Sequence, residues 1–294
     1  MISRVTPSGM AQAAMRHLQA NLTQLSRLQE QATSQRAFSA PSDDPAAAAT
    51  ALQVHAQQQR NSQYARNIND GLAWVTTVDN AISSSTSLLR RARDLMVQGA
   101  NDGAMDATAK EAIAVELVGI RDELLAQANT TLLGRTVFAG TTDSGVAFDK
   151  DYAFTGAADA QVQRRVSDGG TVRVDADGAA VFGSGDGSVF ALLDTVVADL
   201  RAGTNIGGHL AAVDDRMNAM LAVQGAVGAR QTQIERAQEA TLDDSVSLEA
   251  RRAAVEDVDS VEVLVRLQAQ ELVYRSALAV TGRVLQPSLL EFLQ

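Results

Sequence analysis

The sequence predicts a mainly α protein with a small β-containing inserted domain, in which both chain ends form a long antiparallel helical rod. Three observations carry this reading. Residues 46–286 contain no proline. Large apolar residues recur every seven positions from Ile68 to Met96. Glycine and phenylalanine collect in the middle, where residues 134–187 hold 10 of the 21 Gly and residues 138–190 hold 5 of the 7 Phe.

Taken in order, the first segment carries Leu18, Leu22, Leu25 and Leu28 at helical spacing. Ser42, Asp43, Asp44 and Pro45 then read as a fixed bend and cap. Asp44 precedes proline, which moves it out of the αR region and frees its carboxylate to accept N–H groups. Pro45 sits at a first helical position, where a missing N–H costs nothing. The helix that starts there is expected to run to about Gly99, on the order of 80 Å at ~1.5 Å per residue. Its seam is Ile68, Val75, Ile82, Leu89 and Met96, with Gly71, Val78, Ser85 and Ala92 at the second position; Val54 and Tyr64 keep the register. Small residues at alternate seam positions imply close helix pairing.

A second helix is expected over 106–129 from Ile113, Leu117, Ile120 and Leu124. In the middle, TVRVDADGAAVF alternates Val172 and Val174 with polar residues, turns at Asp177-Gly178 and resumes at Val181, which predicts a β-hairpin. Leu210, Val213, Met217, Met220 and Leu221 fall on one helical face. A last helix is expected to carry Val258, Val261, Val265, Leu272, Leu278 and Leu285, to stop at Pro287, and to be followed by an apolar tail. The expected organisation is terminal coiled-coil helices over 1–40 and 255–294, a helical rod over 41–135 and 190–254, and an outward insertion over 136–189.

Composition excludes several functions. With no Cys, disulfides, thiolate metal sites and thiol catalysis are absent. A net charge of -10 opposes a broad nucleic-acid surface. No stretch approaches a membrane span, and the first residues lack a signal-peptide core. The chain has 51 Ala and only 4% aromatics, a balance that buries little area per residue and suits thin helical bundles. No catalytic, cofactor-binding or metal-binding constellation is found. His17, His55 and His209 lie in separate segments, and the acids of DADG at 175–178 and GSGDGS at 183–188 fail calcium-loop spacing and read as turns. Arg90, Arg91 and Arg93 admit two readings, favourable interaction with a helix C-terminus or an intersubunit charge contact. Trp74 and Tyr64, beside the stripe, read as packing residues.

Several stretches together resemble the flagellin superfamily: ATSQRAFSAPSDDPAAAATAL at 32–52, NSQYARNINDGLAWVTTVDNAI at 61–82, RRARDLMVQGAN at 90–101, LLAQANTTLLGRTVFAGT at 124–141 and ALAVTGRVLQPSLLEFL at 277–293. Ser34-Gln35 stands where Ser/Thr-Gly is common in the family. Pro-Ser-Asp-Asp-Pro at 41–45, Asn-x-x-Tyr-x-x-Asn-x-x-Asp-Gly at 61–71 and the ending at 285–290 resemble the branch that joins hook to filament more than the branch that builds the filament.

The resemblance implies a structural protein without cofactor, exported unfolded and without a cleaved signal peptide to the extracellular flagellum. The implied partners are the hook-side junction protein (the first hook-associated protein), flagellin, further copies in a helical ring and an export chaperone before secretion, with neither nucleic acid nor membrane. Terminal helices that pair on assembly would use Leu18, Leu22, Leu25, Leu278, Leu285, Leu289 and Phe292 for axial packing. Two alternatives stay open: the filament subunit itself, and a ligand-binding or enzymatic module in the middle of the chain.

Overall fold

The computed structural model describes residues 7–101, 106–142, 144–157 and 160–285, and among these it has seven α-helices and two small antiparallel hairpins. The order is α1 (Pro7–Ser34), α2 (Pro45–Gly99), α3 (Ala107–Ala128), β1 (Thr131–Leu132), β2 (Arg135–Thr136), β3 (Gln163–Arg165), β4 (Thr171–Arg173), α4 (Gly178–Phe182), α5 (Val189–Ala202), α6 (Leu210–Glu256) and α7 (Ser260–Leu285). The mainly α class with a small β-containing insertion therefore holds. By contacts the chain divides into two units, 60–244 and 1–59 with 245–294, and the segment 136–189 lies wholly within the first.

In the larger unit α2 buries one continuous seam. Ile68, Val75, Ile82, Leu89 and Met96 are all withdrawn from solvent, and so are Gly71, Val78, Ser85, Ala92 and Gly99. The small positions admit neighbours. A Cβ on Gly71 would stand 3.2 Å from Val174 Cγ1, and one on Gly99 would stand 3.0 Å from Leu200 Cδ2. Opposite α2, α6 buries Val213, Met220, Val227, Ile234 and Thr241, again every seven residues. Polar pairs fix the two helices antiparallel. Asn61 Nδ2 donates to the Thr241 carbonyl at 2.9 Å, Gln224 Nε2 to Asp79 Oδ1 at 3.2 Å, and Arg93 Nε to Asp214 Oδ1 at 2.6 Å. Arg91 pairs with Glu116 of α3 at 2.5 Å, so two arginines of the basic cluster have partners inside the chain.

Asp106 caps α3 by accepting the Ala109 N–H at 2.7 Å, and Asn129 closes it. Asn129 then holds the start of the insertion. Its Oδ1 accepts the N–H groups of Ala147 at 2.7 Å and Phe148 at 2.9 Å, and its Nδ2 donates to the Phe148 carbonyl at 3.1 Å. The aromatic residues form one cluster: Phe148 lies 5.4 Å from Phe190 and 5.8 Å from Phe182, and Phe138 lies 5.3 Å from Phe182. Phe190 belongs to α5, so the insertion shares its core with the helices. Tyr152 and Arg121 both bond Asp194 of α5; burial lowers the Arg121 guanidinium's hold on its proton, but its bonds to Asp122 and then Asp194 outweigh that and keep it above its ordinary range.

Two sequence expectations need correction. The hairpin containing Val172 pairs β4 backwards with β3, Arg164 opposite Val172, around residues 166–170. Asp177-Gly178 is no hairpin turn: the Asp177 carboxylate accepts the Ala179 N–H at 3.0 Å and starts α4. Asp followed by Gly suits both a turn and an N-cap, and the helix-forming Ala179-Ala180 that follows decides for the cap. The last helix is also interrupted. α6 ends at Glu256 and α7 begins at Ser260 under an Asp259 cap, so Val258 lies in the link, outside either helix. Asp175, in the faint calcium-like stretch, is buried with its oxygens taken by Arg173 and the Val162 N–H.

Ile82→Asp places a carboxylate in the dry α2 seam and is expected to lower the unfolding free energy by at least about 3 kcal/mol. Unchanged urea unfolding would contradict that burial. Asn129→Ala strips partners from two buried N–H groups, and the same measurement should show a loss of about 1–3 kcal/mol.

Candidate functional site

The smaller unit presents the surface that calls for a functional account. It is built on the link between α1 and α2. α1 stops at Ser34 because Gln35 takes a left-handed conformation, φ 58°, with its N–H on the Gln31 carbonyl at 2.9 Å. This is the position where the family resemblance places glycine, and the turn forms with glutamine in it. Residues 35–37 then meet the break between α6 and α7. The Ala37 N–H donates to the Glu256 carbonyl at 2.7 Å, the Val258 N–H donates to the Gln35 carbonyl at 3.3 Å, and Arg36 pairs with Asp257 in an antiparallel bridge. Each interruption supplies the hydrogen bonds that the other lacks.

Charge secures the same region. Arg252 bonds Glu249 at 2.9 Å and Asp257 at 3.0 Å, which raises its affinity for its proton, and His55 Nε2 lies 2.5 Å from Glu256 Oε1. In the predicted bend, Asp43 Oδ2 accepts the N–H groups of Ala40 at 2.9 Å and Ser39 at 3.2 Å. Those backbone donors, Ala40 first, hold its carboxyl below the usual range. Asp44 Oδ1 accepts the N–H groups of Ala46 at 3.1 Å and Ala47 at 2.9 Å, with Pro45 as first helical residue. Ser42 is exposed and takes no part in this cap.

Beyond the link α1 packs on α7. The face that α1 turns inward is Ala11, Ala14, Leu18, Asn21, Leu25, Leu28 and Ala32, at spacings of three and four. α7 answers with Val263, Leu267, Gln270, Tyr274, Ala277 and Thr281. Gln270 Nε2 donates to the Asn21 carbonyl at 3.3 Å within this seam. Leu18 and Leu25 are thus inside the pair, whereas Leu22 and Leu278 are exposed. Leu285 is the final residue of α7 and its side chain lies outside the description, as do Leu289 and Phe292 altogether.

Sequence reading missed the inner face of α7. Its signal, the four-three spacing from Val263 to Thr281, was present but masked by a second apolar set on the same helix. That set, Val261, Val265 and Leu272, points away from α1, and the three are 73%, 61% and 68% exposed. A helix apolar on opposite sides needs two partners, and the smaller unit supplies one.

Among the described residues no group of three or more His, Asp or Glu side chains could hold a metal ion. His17 is exposed, while His55 faces Glu256 at 2.5 Å and His209 faces Asp199 at 2.7 Å.

Comparison with known proteins bears on this surface. Residues 5–143 match the bacterial flagellin N-terminal helical region and residues 210–293 the bacterial flagellin C-terminal helical region. The chain is 27% identical over 259 residues to flagellar hook-associated protein 3 of Salmonella typhimurium, covering 79% of this chain and 81% of that one. It is also 27% identical over 260 residues to flagellin of Bacillus subtilis, covering 83% and 84%. Among solved structures, a flagellar hook-associated protein from Vibrio parahaemolyticus superposes with a TM-score of 0.67 at 21% identity, over 73% of this chain and all of that one.

Replacing the left-handed Gln35 by glycine removes a steric cost at φ 58°. Gln35→Gly should raise stability by roughly 0.5–1 kcal/mol after the entropy of the freer unfolded chain is subtracted. A higher urea midpoint would establish this, and a lower one would mean that the glutamine side chain holds the link.

Proposed function

The chain belongs to the flagellin superfamily, and from that premise we propose that it is the structural joint between the flagellar hook and the flagellin filament. The observation that carries the reading is the outward apolar face of α7, Val261, Val265 and Leu272, on a helix whose other side is already occupied by α1. Such a face is completed only by neighbouring subunits. The similarity to hook-associated protein 3 over most of both chains supports the junction as the place of assembly.

In this reading the paired termini form the inner, axial layer, with Leu22 and Leu278 turned to neighbouring copies, and the cap of Asp43, Asp44 and Pro45 sets the direction in which α2 departs. The partners are the hook-side junction protein on one side, flagellin on the other, and further copies of this chain around the ring. Before assembly the chain is exported through the flagellar apparatus with the help of a chaperone and works outside the cell. The Cys-free composition supports passage as an unfolded chain.

The similarity to a flagellin favours one rival, the filament subunit itself. In a host lacking its own copy, a chain shortened to end before Leu285 is expected to be exported and stay soluble, but to leave hooks without filaments and flagellin in the medium. Filaments on those hooks would sink the axial role of the tail. Growth of long filaments when the purified full chain is added to filament seeds would favour the rival.

A further inference from the structure

The hairpin of β1 and β2 closes on two residues, because Leu132 pairs with Arg135 and only Leu133 and Gly134 lie between them. Both turn residues are left-handed, at φ 51° and 79°. Glycine adopts that conformation freely, whereas a leucine meets a steric cost in it. The Leu133 side chain recovers nothing from burial, since it is 87% exposed. A strained backbone that holds an apolar side chain out in water marks a contact surface. Beside it lies Arg135, with its guanidinium 5.8 Å from the Trp74 ring centre. The ring positions the cation without engaging its N–H donors, and no carboxylate among the described residues pairs with it.

A complementary set lies on α6. Glu239 and Leu242 stand on one face of the helix with Asp243 beside them, and all three are exposed, Leu242 at 62%. The Glu239 and Asp243 carboxylates have no ion-pair or hydrogen-bond partner among the described residues. One chain cannot bring the two sets together. Leu242 follows Thr241, whose carbonyl is held by Asn61 of α2, whereas Arg135 sits over Trp74 of the same helix. The levels of Asn61 and Trp74 differ by about 20 Å at ~1.5 Å per residue.

We propose that Leu133 and Arg135 of one copy dock on Leu242, Glu239 and Asp243 of the next, with the two leucines in contact and the guanidinium between the carboxylates. The spacings agree. Leu133 and Arg135 lie within ~7 Å of each other along the chain, and Glu239 and Leu242 are ~5–6 Å apart on their helix, so both contacts close at once. Charge selects a second copy as the occupant, because the same chain carries the unpaired cation and the unpaired carboxylates. The two surfaces differ, so the contact is heterologous and repeats from copy to copy, staggering parallel copies by about 20 Å along α2. One leucine pair and one exposed ion pair bury too little to hold free copies together. The contact therefore sets register where other surfaces already bring copies side by side, and it rests on the ring of copies proposed above.

A weak contact can be trapped covalently, and the absence of native cysteine permits it. Leu133→Cys and Leu242→Cys are made as separate full-length chains, one labelled with heavy nitrogen, then mixed in equal amounts at high concentration and oxidised gently. Mass spectrometry counts mixed and like dimers. Mixed disulfides are expected to form at least about ten-fold faster than either like pair, because only docking holds the two Cα atoms within ~7 Å. Adding Arg135→Glu to the first chain should abolish that preference. Adding Glu239→Arg and Asp243→Arg to the second should then restore it with the charges exchanged. No bond, mixed dimers in random proportion, a preference for like pairs, or a preference indifferent to Arg135→Glu would overturn the proposal. No flagellar component is present, so these outcomes are separate from those that test the junction reading.

Discussion

Along one face of α2, bulky and small residues alternate: Ile68, Val75, Ile82, Leu89 and Met96 with Gly71, Val78, Ser85, Ala92 and Gly99. The bulky positions anchor the seam, but the small ones decide what else comes close. Val174, the residue after β4, settles over Gly71, and Leu200 of α5 with Ile206 settles over Gly99. A Cβ at Gly71 would stand 3.2 Å from Val174 and one at Gly99 3.0 Å from Leu200, and these side chains would have to give by a few tenths of an ångström. α6 keeps the same seven-residue period from Val213 to Thr241, so its large residues stay opposed to α2 over many turns. The insertion and α5 are placed by those two glycines, and the aromatic cluster forms where placement brings Phe148 and Phe190 together.

Much of this was legible in the residues, for reasons that differ from helix to helix. The bounds of α2 could be read because Asp44-Pro45 and Gly99 are chemically distinct from the Ala- and Gln-rich stretch between them. The bounds of α3 follow from Asp106 and Asn129 in the same way. The break at residues 257–259 was invisible, since it contains neither proline nor glycine and is held by hydrogen bonds to Gln35 and Ala37, far away in sequence. The course of α6 beyond Met220 was obscured because Gln224, Gln231 and Gln238 flank its buried stripe. Asp177-Gly178 has two physical meanings, and local pattern alone does not choose between them.

The terminal site was less legible than the family. The motif around Gly140 carries the resemblance because backbone geometry restricts it. Gly140 has φ 62°, and a Cβ there would lie 1.8 Å from the Ala160 carbonyl oxygen. The leucines of α1 have no such restriction. Leu18, Leu22 and Leu25 look alike in sequence, yet one of the three faces solvent, because the choice depends on the rotation of α1 against α7. Two overlapping apolar sets on α7 compound the ambiguity, since either could be the inner face until its partner is known.

That doubled apolarity sets a limit on supply. A free chain that carries Val261, Val265 and Leu272 outside behaves as a sticky solute, whose unwanted association grows with its concentration. The net charge of -10 opposes that association at long range, but salt confines its effect to about 10 Å. Under the proposed junction role, the protein is therefore best kept scarce, released no faster than growing ends can take it up. Its dwell time in solution, as much as its affinity for a neighbour, then governs how faithfully each joint is completed.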